Sequence, residues 1–266
     1  MAINTIKSGK LEYLTAENIC VPHCFTTRRG GVSDGIFDSL NIALHGGDSE
    51  ENVGKNLEIL SKAMGFELDK LVLTRQIHSD IVRVVTDADH IGLDHHAYPN
   101  CDALVTNTPG TALMVYTADC TPILLHDPVT GAVGAAHAGW RGTAADIAGK
   151  TVRAMVENFG CKPEDIRAAI GPNIGQCCFQ TDAEVPEAMI EALGRSALIH
   201  IRHKENKYYV NLKAINAQFL RNAGVVNIEI SEECTMCQHD RFWSHRYTKG
   251  KRGSQGAIII CKEATP

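Results

Sequence analysis

Thr117-Ala118-Asp119-Cys120-Thr121-Pro122-Ile123-Leu124-Leu125-His126-Asp127-Pro128-Val129-Thr130-Gly131-Ala132-Val133-Gly134-Ala135-Ala136-His137-Ala138-Gly139-Trp140-Arg141-Gly142-Thr143 decides how the middle of this chain folds. Two apolar runs, 123–126 and 132–137, flank a turn that holds both Pro and Gly, the pattern of a β-hairpin. With Asp127 opposite Ala132, His137 faces Pro122 and Cys120 faces Gly139. Cys120 and His137 then become diagonal neighbours on one face, about 7–8 Å apart at Cα. Side chains converging from there can share a zinc ion through bonds of about 2.0–2.3 Å. Pro122 argues against this register, because proline inside a strand marks an edge or a bulge.

Beyond the hairpin, Ala138 to Thr143 forms a glycine-flanked turn into a helix that reaches Phe159 and stops at Gly160, with Thr143 as its expected N-cap. Free N–H groups at such a turn suit an anion, and Arg141 adds a fixed charge. A tight strand-to-helix junction with a surface arginine is the plainer alternative. Upstream, strands over 71–74 and 81–85 flank Arg75 to Asp80 and put His78 at a strand end. Residues 51–64 carry apolar positions three and four apart before Gly65, the pattern of an amphipathic helix. The first forty residues read as a polar lead-in followed by the Thr26 to Gly31 loop, a candidate anion nest. Residues 87–100, with His90, His95 and His96, read as a solvated loop without zinc-ligand spacing.

Downstream, a strand from Ala168 runs into the Gly171 to Gly175 loop and the vicinal pair Cys177-Cys178, which is too close along the chain to bridge itself readily. Helices over 182–193 and 213–223 and a strand over 225–230 follow. Cys234-Thr235-Met236-Cys237, with His239 and His245, resembles half of a zinc knuckle, although the spacing is not that of a finger. Cys20, Cys24, Cys101, Cys161 and Cys261 read as small buried residues.

Composition narrows the function. Hydrophobic residues make up 44% of 266, which predicts one globular domain over 1–266. A net charge of −5 leaves no basic stripe for nucleic acid. No apolar run is long enough for a membrane, and the N-terminus lacks the order of a signal peptide, so a cytoplasmic location is expected. The alternation of elements predicts a layered α/β sandwich with mixed sheets rather than a doubly wound one.

The motifs TTRRGG (26–31), SLN (39–41), QIH (76–78), DALV (102–105), TADC (117–120), HAGWRG (137–142), GPNIG (171–175) with Cys177-Cys178, and CT (234–235) together resemble the multicopper polyphenol oxidase, or laccase-domain, family. That family includes the peptidoglycan editing factor and FAMIN-like purine nucleoside phosphorylases. The resemblance implies a four-layer αββα sandwich and a zinc ion on His78, Cys120 and His137. It also implies phosphorolysis of adenosine, inosine and methylthioadenosine, with deamination of adenosine, so that purine nucleoside and phosphate are the expected partners. Where the family carries FFSYRRDG, this chain has Phe242-Trp243-Ser244-His245-Arg246, and His245 replaces an aromatic residue.

Three protein ligands with an open fourth position describe a catalytic zinc. Copper is the less favoured metal, because none of the twelve histidines forms a His-x-His pair. Asp102 and Asp119 are the candidates for moving protons, with turn-capping roles as the alternative. Arg28, Asn41 and Arg141 are the candidates for holding phosphate and substrate. Two rival functions use the same residues: a cysteine-type amidase that edits peptidoglycan precursors, with Cys120 as nucleophile and His137 as base, and a non-catalytic zinc-binding interaction protein. Oligomeric state is left open by the sequence.

Overall fold

The computed structural model describes residues 3–44, 46–93 and 97–262, so His95 and His96 lie outside the described residues. One six-stranded sheet runs in the order Ile3–Ser8 (β1), Leu11–Ala16 (β2), His23–Thr26 (β3), Gln255–Ile260 (β15), Ala112–Thr117 (β7) and Leu71–Leu73 (β4). A second runs Asn227–Ile230 (β14), Arg167–Ile170 (β10), Thr121–His126 (β8), Val133–Ala138 (β9), Ala103–Thr106 (β6) and Val82–Val84 (β5). Both are mixed: β4 runs parallel to β7, β10 to β14 and β5 to β6, while the other pairs are antiparallel. A small third sheet joins Gln180–Thr181 (β11), Lys207–Val210 (β13) and Ile201–Lys204 (β12).

The two large sheets face each other, and helices cover the outside of each. The apolar positions of β9 alternate: Val133 and Ala135 pack into the core shared with the first sheet, while Ala136 and Ala138 face the helices. Helix α1 (Glu50–Met64) buries Val53, Leu57 and Leu60 in the hydrophobic cluster that includes the first sheet. Helices α3 (Ile147–Phe159) and α4 (Leu212–Asn222) lay Val152, Met155, Ile215 and Phe219 on the second sheet. This is the four-layer αββα sandwich with mixed sheets expected from the resemblance.

The hairpin register holds at every position. His137 pairs with Pro122 and Val133 with His126. The His137 N–H points the other way, to the Asp102 carbonyl at 2.7 Å, so Pro122 and His137 form a pair without mutual backbone bonds. Proline's missing N–H therefore costs nothing on that side of β8, and no bulge is needed.

Three expectations are corrected. Thr143 is not the N-cap of the long helix: it lies buried inside a short helix, α2 (Trp140–Ala144). Asp146 caps α3 instead, accepting from the Gly149 N–H at 2.9 Å. The polar lead-in is a β-hairpin, β1 with β2, whose outer strand is almost wholly exposed and carries no apolar alternation to betray it. Cys20 is exposed rather than buried.

Candidate active site

At one end of the inter-sheet core, a cavity of about 410 Å³ opens beside β7 and β8. That volume lies within the range of small-molecule sites. His78, Cys120 and His137 line it, and their ligand atoms all lie within 4.8 Å of one another. Cys120 Sγ is 3.8 Å from His78 Nε2, and the two imidazole rings meet edge to face with centroids 4.9 Å apart.

Backbone placement explains the convergence. His137 shares the inward parity of Val133 and Ala135 at the end of β9, and Cys120 precedes β8 directly opposite Gly139. His78 comes from the loop between β4 and β5, which must press against the turn after β9. Two glycines make that approach possible. A Cβ on Gly139 would sit 2.7 Å from His78 Cδ2, and one on Gly142 would sit 2.9 Å from the Ser79 carbonyl oxygen. The glycines of the 137–142 motif are thus spacers for the His78 loop. His78 and Asp119 both hold left-handed backbones, with φ of 60° and 85°, a strain that neighbouring bonds must offset.

Asp102 is the organising group. It is fully buried, and one oxygen takes the His137 Nδ1 at 2.8 Å and the His78 N–H at 3.1 Å. The other accepts from the Ser79 N–H at 2.7 Å, the Ser79 hydroxyl at 2.6 Å and the Ile77 N–H at 3.2 Å. One carboxylate therefore orients the His137 ring, leaving Nε2 free for a metal, and fixes the loop that carries His78. Burial raises its pKa, but the bonds from His137 and Ser79 outweigh this and bring it to about 2. Both its oxygens are occupied and it is absent from the cavity lining, so Asp102 is placed to hold His137 and the His78 loop in position.

Burial pushes the Cys120 thiol up, and the adjacent imidazoles of His137 and His78 more than reverse it, to about 6. Burial pulls His137 down, and the Cys120 and Asp102 charges reverse that, to about 9. A low thiol beside two imidazoles, one of them held in a fixed tautomer, is a donor set suited to a divalent metal.

The other expected residues divide. Asp119 lines the cavity, and its oxygens accept from the Thr235 hydroxyl at 2.6 Å and the Arg246 N–H at 2.7 Å. Arg28 lies elsewhere: its guanidinium donates to the carbonyls of Asp38 and His239 and stacks over Trp243. Asn41 is buried, bridging Asp48 and the Ser254 N–H. Arg141 lies over the Trp140 ring with Glu184 at 3.7 Å, in a separate depression. None of these three reaches the cavity. Arg252 does, and no sequence motif marks it. Its Nη1 donates to the Gly253 carbonyl and the Ser254 hydroxyl, while Nε is buried without a partner among the described residues. His245 also lines the cavity, at the position where the family motif has an aromatic residue.

Known proteins resemble this chain over nearly its whole length. A purine nucleoside phosphorylase, YlmD of Geobacillus stearothermophilus, is 39% identical over 244 residues, covering 90% of this chain and 89% of that protein. An adenosine deaminase, RL5, from an unknown prokaryotic organism is 37% identical, covering 91% of this chain and 94% of its own length. The crystal structure of YlmD from Geobacillus stearothermophilus superposes with a TM-score of 0.91, covering 97% of this chain and 99% of that one. With its residues 22–262 matching the family described as multi-copper polyphenol oxidoreductase laccase, the chain belongs to that family.

Proposed function

We propose that the protein is a zinc-dependent purine nucleoside enzyme that cleaves adenosine, inosine or methylthioadenosine with phosphate and deaminates adenosine at the same site. The observation that carries this reading is the convergence of His78, Cys120 and His137 at the wall of a nucleoside-sized cavity, with Asp102 bonded behind them. Those three residues would hold the metal, and zinc bound there supplies a Lewis acid next to the substrate. Asp102 keeps His137 in the tautomer that offers Nε2. Asp119, the carboxylate at the cavity wall, is assigned to proton transfer. Arg252, with an unpartnered Nε, is assigned to phosphate in place of Arg28, Asn41 and Arg141. The Tyr116 hydroxyl and Thr117 Oγ1, buried and unbonded among the described residues, remain for polar atoms of the nucleoside.

Product analysis tests this. Zinc-loaded protein with adenosine and phosphate should yield adenine and ribose-1-phosphate, and without phosphate it should yield inosine. Absence of both products would reject the proposal.

A second reading has one observation in its favour. The lowered thiol of Cys120 beside the raised imidazole of His137 also describes a nucleophile and its base, as in an amidase acting on a peptidoglycan precursor. Metal separates the two, since a thiolate tied to zinc is a poor nucleophile. Amide hydrolysis that survives complete metal removal would favour the dyad.

A further inference from the structure

The second half of the expected zinc knuckle does not come from histidine. His239 stacks on Tyr247 with ring centroids 3.5 Å apart, and His245 lines the nucleoside cavity. Cys234 and Cys237 meet Cys177 and Cys178 instead, and the four Sγ atoms all lie within 4.8 Å of one another. Cys178 Sγ is 3.3 Å and Cys177 Sγ 3.6 Å from Cys237 Sγ. A tetrahedron of zinc–sulfur bonds of about 2.3 Å has sulfur–sulfur edges of about 3.8 Å. The two spacings to Cys237 fall slightly below that edge, and the 4.8 Å span of the four sulfurs allows for it. They leave room for one ion and not for an iron–sulfur core, whose four thiolates are spread over two or four irons.

Two tight turns bring the sulfurs together. The Cys178 and Phe179 N–H groups both donate to the Gly175 carbonyl at 2.9 Å, curling residues 175–179, and the Gln238 N–H donates to the Cys234 carbonyl at 3.0 Å, curling 234–238. The N–H groups of Gly175 and Cys237 aim at Cys234 Sγ, the Gly175 bond measuring 3.2 Å. Backbone donors aimed at sulfur favour the thiolate that a metal requires. Lys213 is buried close enough to Cys234 and Cys177 to interact with their charge, and its ammonium is tied to the carbonyls of Ser231 and Glu233. One cation beside four thiolates offsets part of the charge left when a single zinc binds them.

We propose that Cys177, Cys178, Cys234 and Cys237 form a second, structural zinc site of four thiolates. It clamps the 175–178 turn to the 234–237 turn, and both turns serve the catalytic cavity. Ile174 and Phe179 line that cavity, and Thr235 bonds Asp119. The proposal does not rest on the nucleoside reaction.

The test counts zinc and identifies its ligands. Protein purified under reducing conditions with zinc, then gel-filtered, should hold two equivalents per chain. Cys120→Ala should keep one, and X-ray absorption of that variant should show four sulfurs at about 2.3 Å and no nitrogen. Cys237→Ser should also keep one, now with mixed nitrogen and sulfur ligation. One equivalent in the unaltered protein and none in Cys120→Ala would overturn the site, as would a disulfide between Cys237 and either neighbour in the zinc-loaded protein. If Cys237→Ser does not fold, the absorption spectrum of Cys120→Ala decides alone.

Discussion

The two clusters of converging donor atoms, His78 with Cys120 and His137 and the four cysteines 177, 178, 234 and 237, are built on opposite plans. The His78, Cys120 and His137 cluster has three donors, stands at a cavity wall, and depends on a buried carboxylate that belongs to neither strand end carrying Cys120 or His137. The four-cysteine cluster has a complete donor set from two local turns and needs no orienting carboxylate. An incomplete donor set leaves room for substrate and therefore has to be held from outside; a complete set holds itself. Burial does not separate them, since each cluster has one buried member, His137 in the first and Cys234 in the second.

The comparison breaks most visibly at Cys120. Cys120→Ala should lower nucleoside turnover by about 1000-fold or more, several kcal/mol of lost transition-state stabilisation, while the four-cysteine cluster keeps its metal. Equal loss of zinc from both clusters would mean that they are one cooperative unit. Arg252→Ala sharpens the open side: steady-state kinetics should show phosphate-dependent cleavage falling about 10- to 150-fold, with phosphate-free deamination changed far less. A similar loss in both reactions would make Arg252 a packing residue.

Asp102→Asn should weaken zinc binding at the three-donor cluster by about 10- to 100-fold, measured by competition with a chelator, and leave the four-cysteine cluster unaffected. The acid sensitivity of the fold has a matching sign. The folded pKa of Asp102 is depressed, so its contribution is fully present above its ordinary value of 3.8 and is lost as pH falls toward about 2. The smallest effect is a proton count. Near pH 7 Cys120 is already a thiolate and His137 still carries its extra proton, so zinc entering the three-donor cluster should release about one proton. Calorimetry of Cys237→Ser in buffers of different ionisation enthalpy reads that number. Affinity should fall as pH drops below about 9, where His137 takes its proton, and more steeply below about 6, where Cys120 is protonated too.

Sequence revealed what local chemistry dictates. The Asp127 to Gly131 turn sets the β8–β9 register, and the register sets His137 against Pro122, so the approach of Cys120 and His137 followed from one hairpin. His78 could be tied to them only by resemblance, because its approach depends on a loop docking against Gly139 and Gly142. The partners of Asp102 were hidden for the same reason: residues 77–79 and 137 come together only across strands. Arg252 sits in a polar stretch that no periodicity marks, and its value lies in a buried Nε that only three dimensions reveal. The cysteines were legible as pairs, Cys177-Cys178 and Cys234 with Cys237, but nothing in the intervening residues announces that the pairs meet.

The close fit between the Gly139 backbone and the His78 ring also links the histories of the two positions. A side chain at 139 has no room while an imidazole stands at 78, since the added carbon would meet Cδ2 at 2.7 Å. A lineage that first lost the imidazole would be released from that restriction, and alanine or serine could then drift into position 139. Return would be obstructed, because restoring histidine at 78 would meet the new side chain before it could meet a metal. Loss of the metal site by that route would behave as a ratchet, with the glycine as the record of whether it has turned.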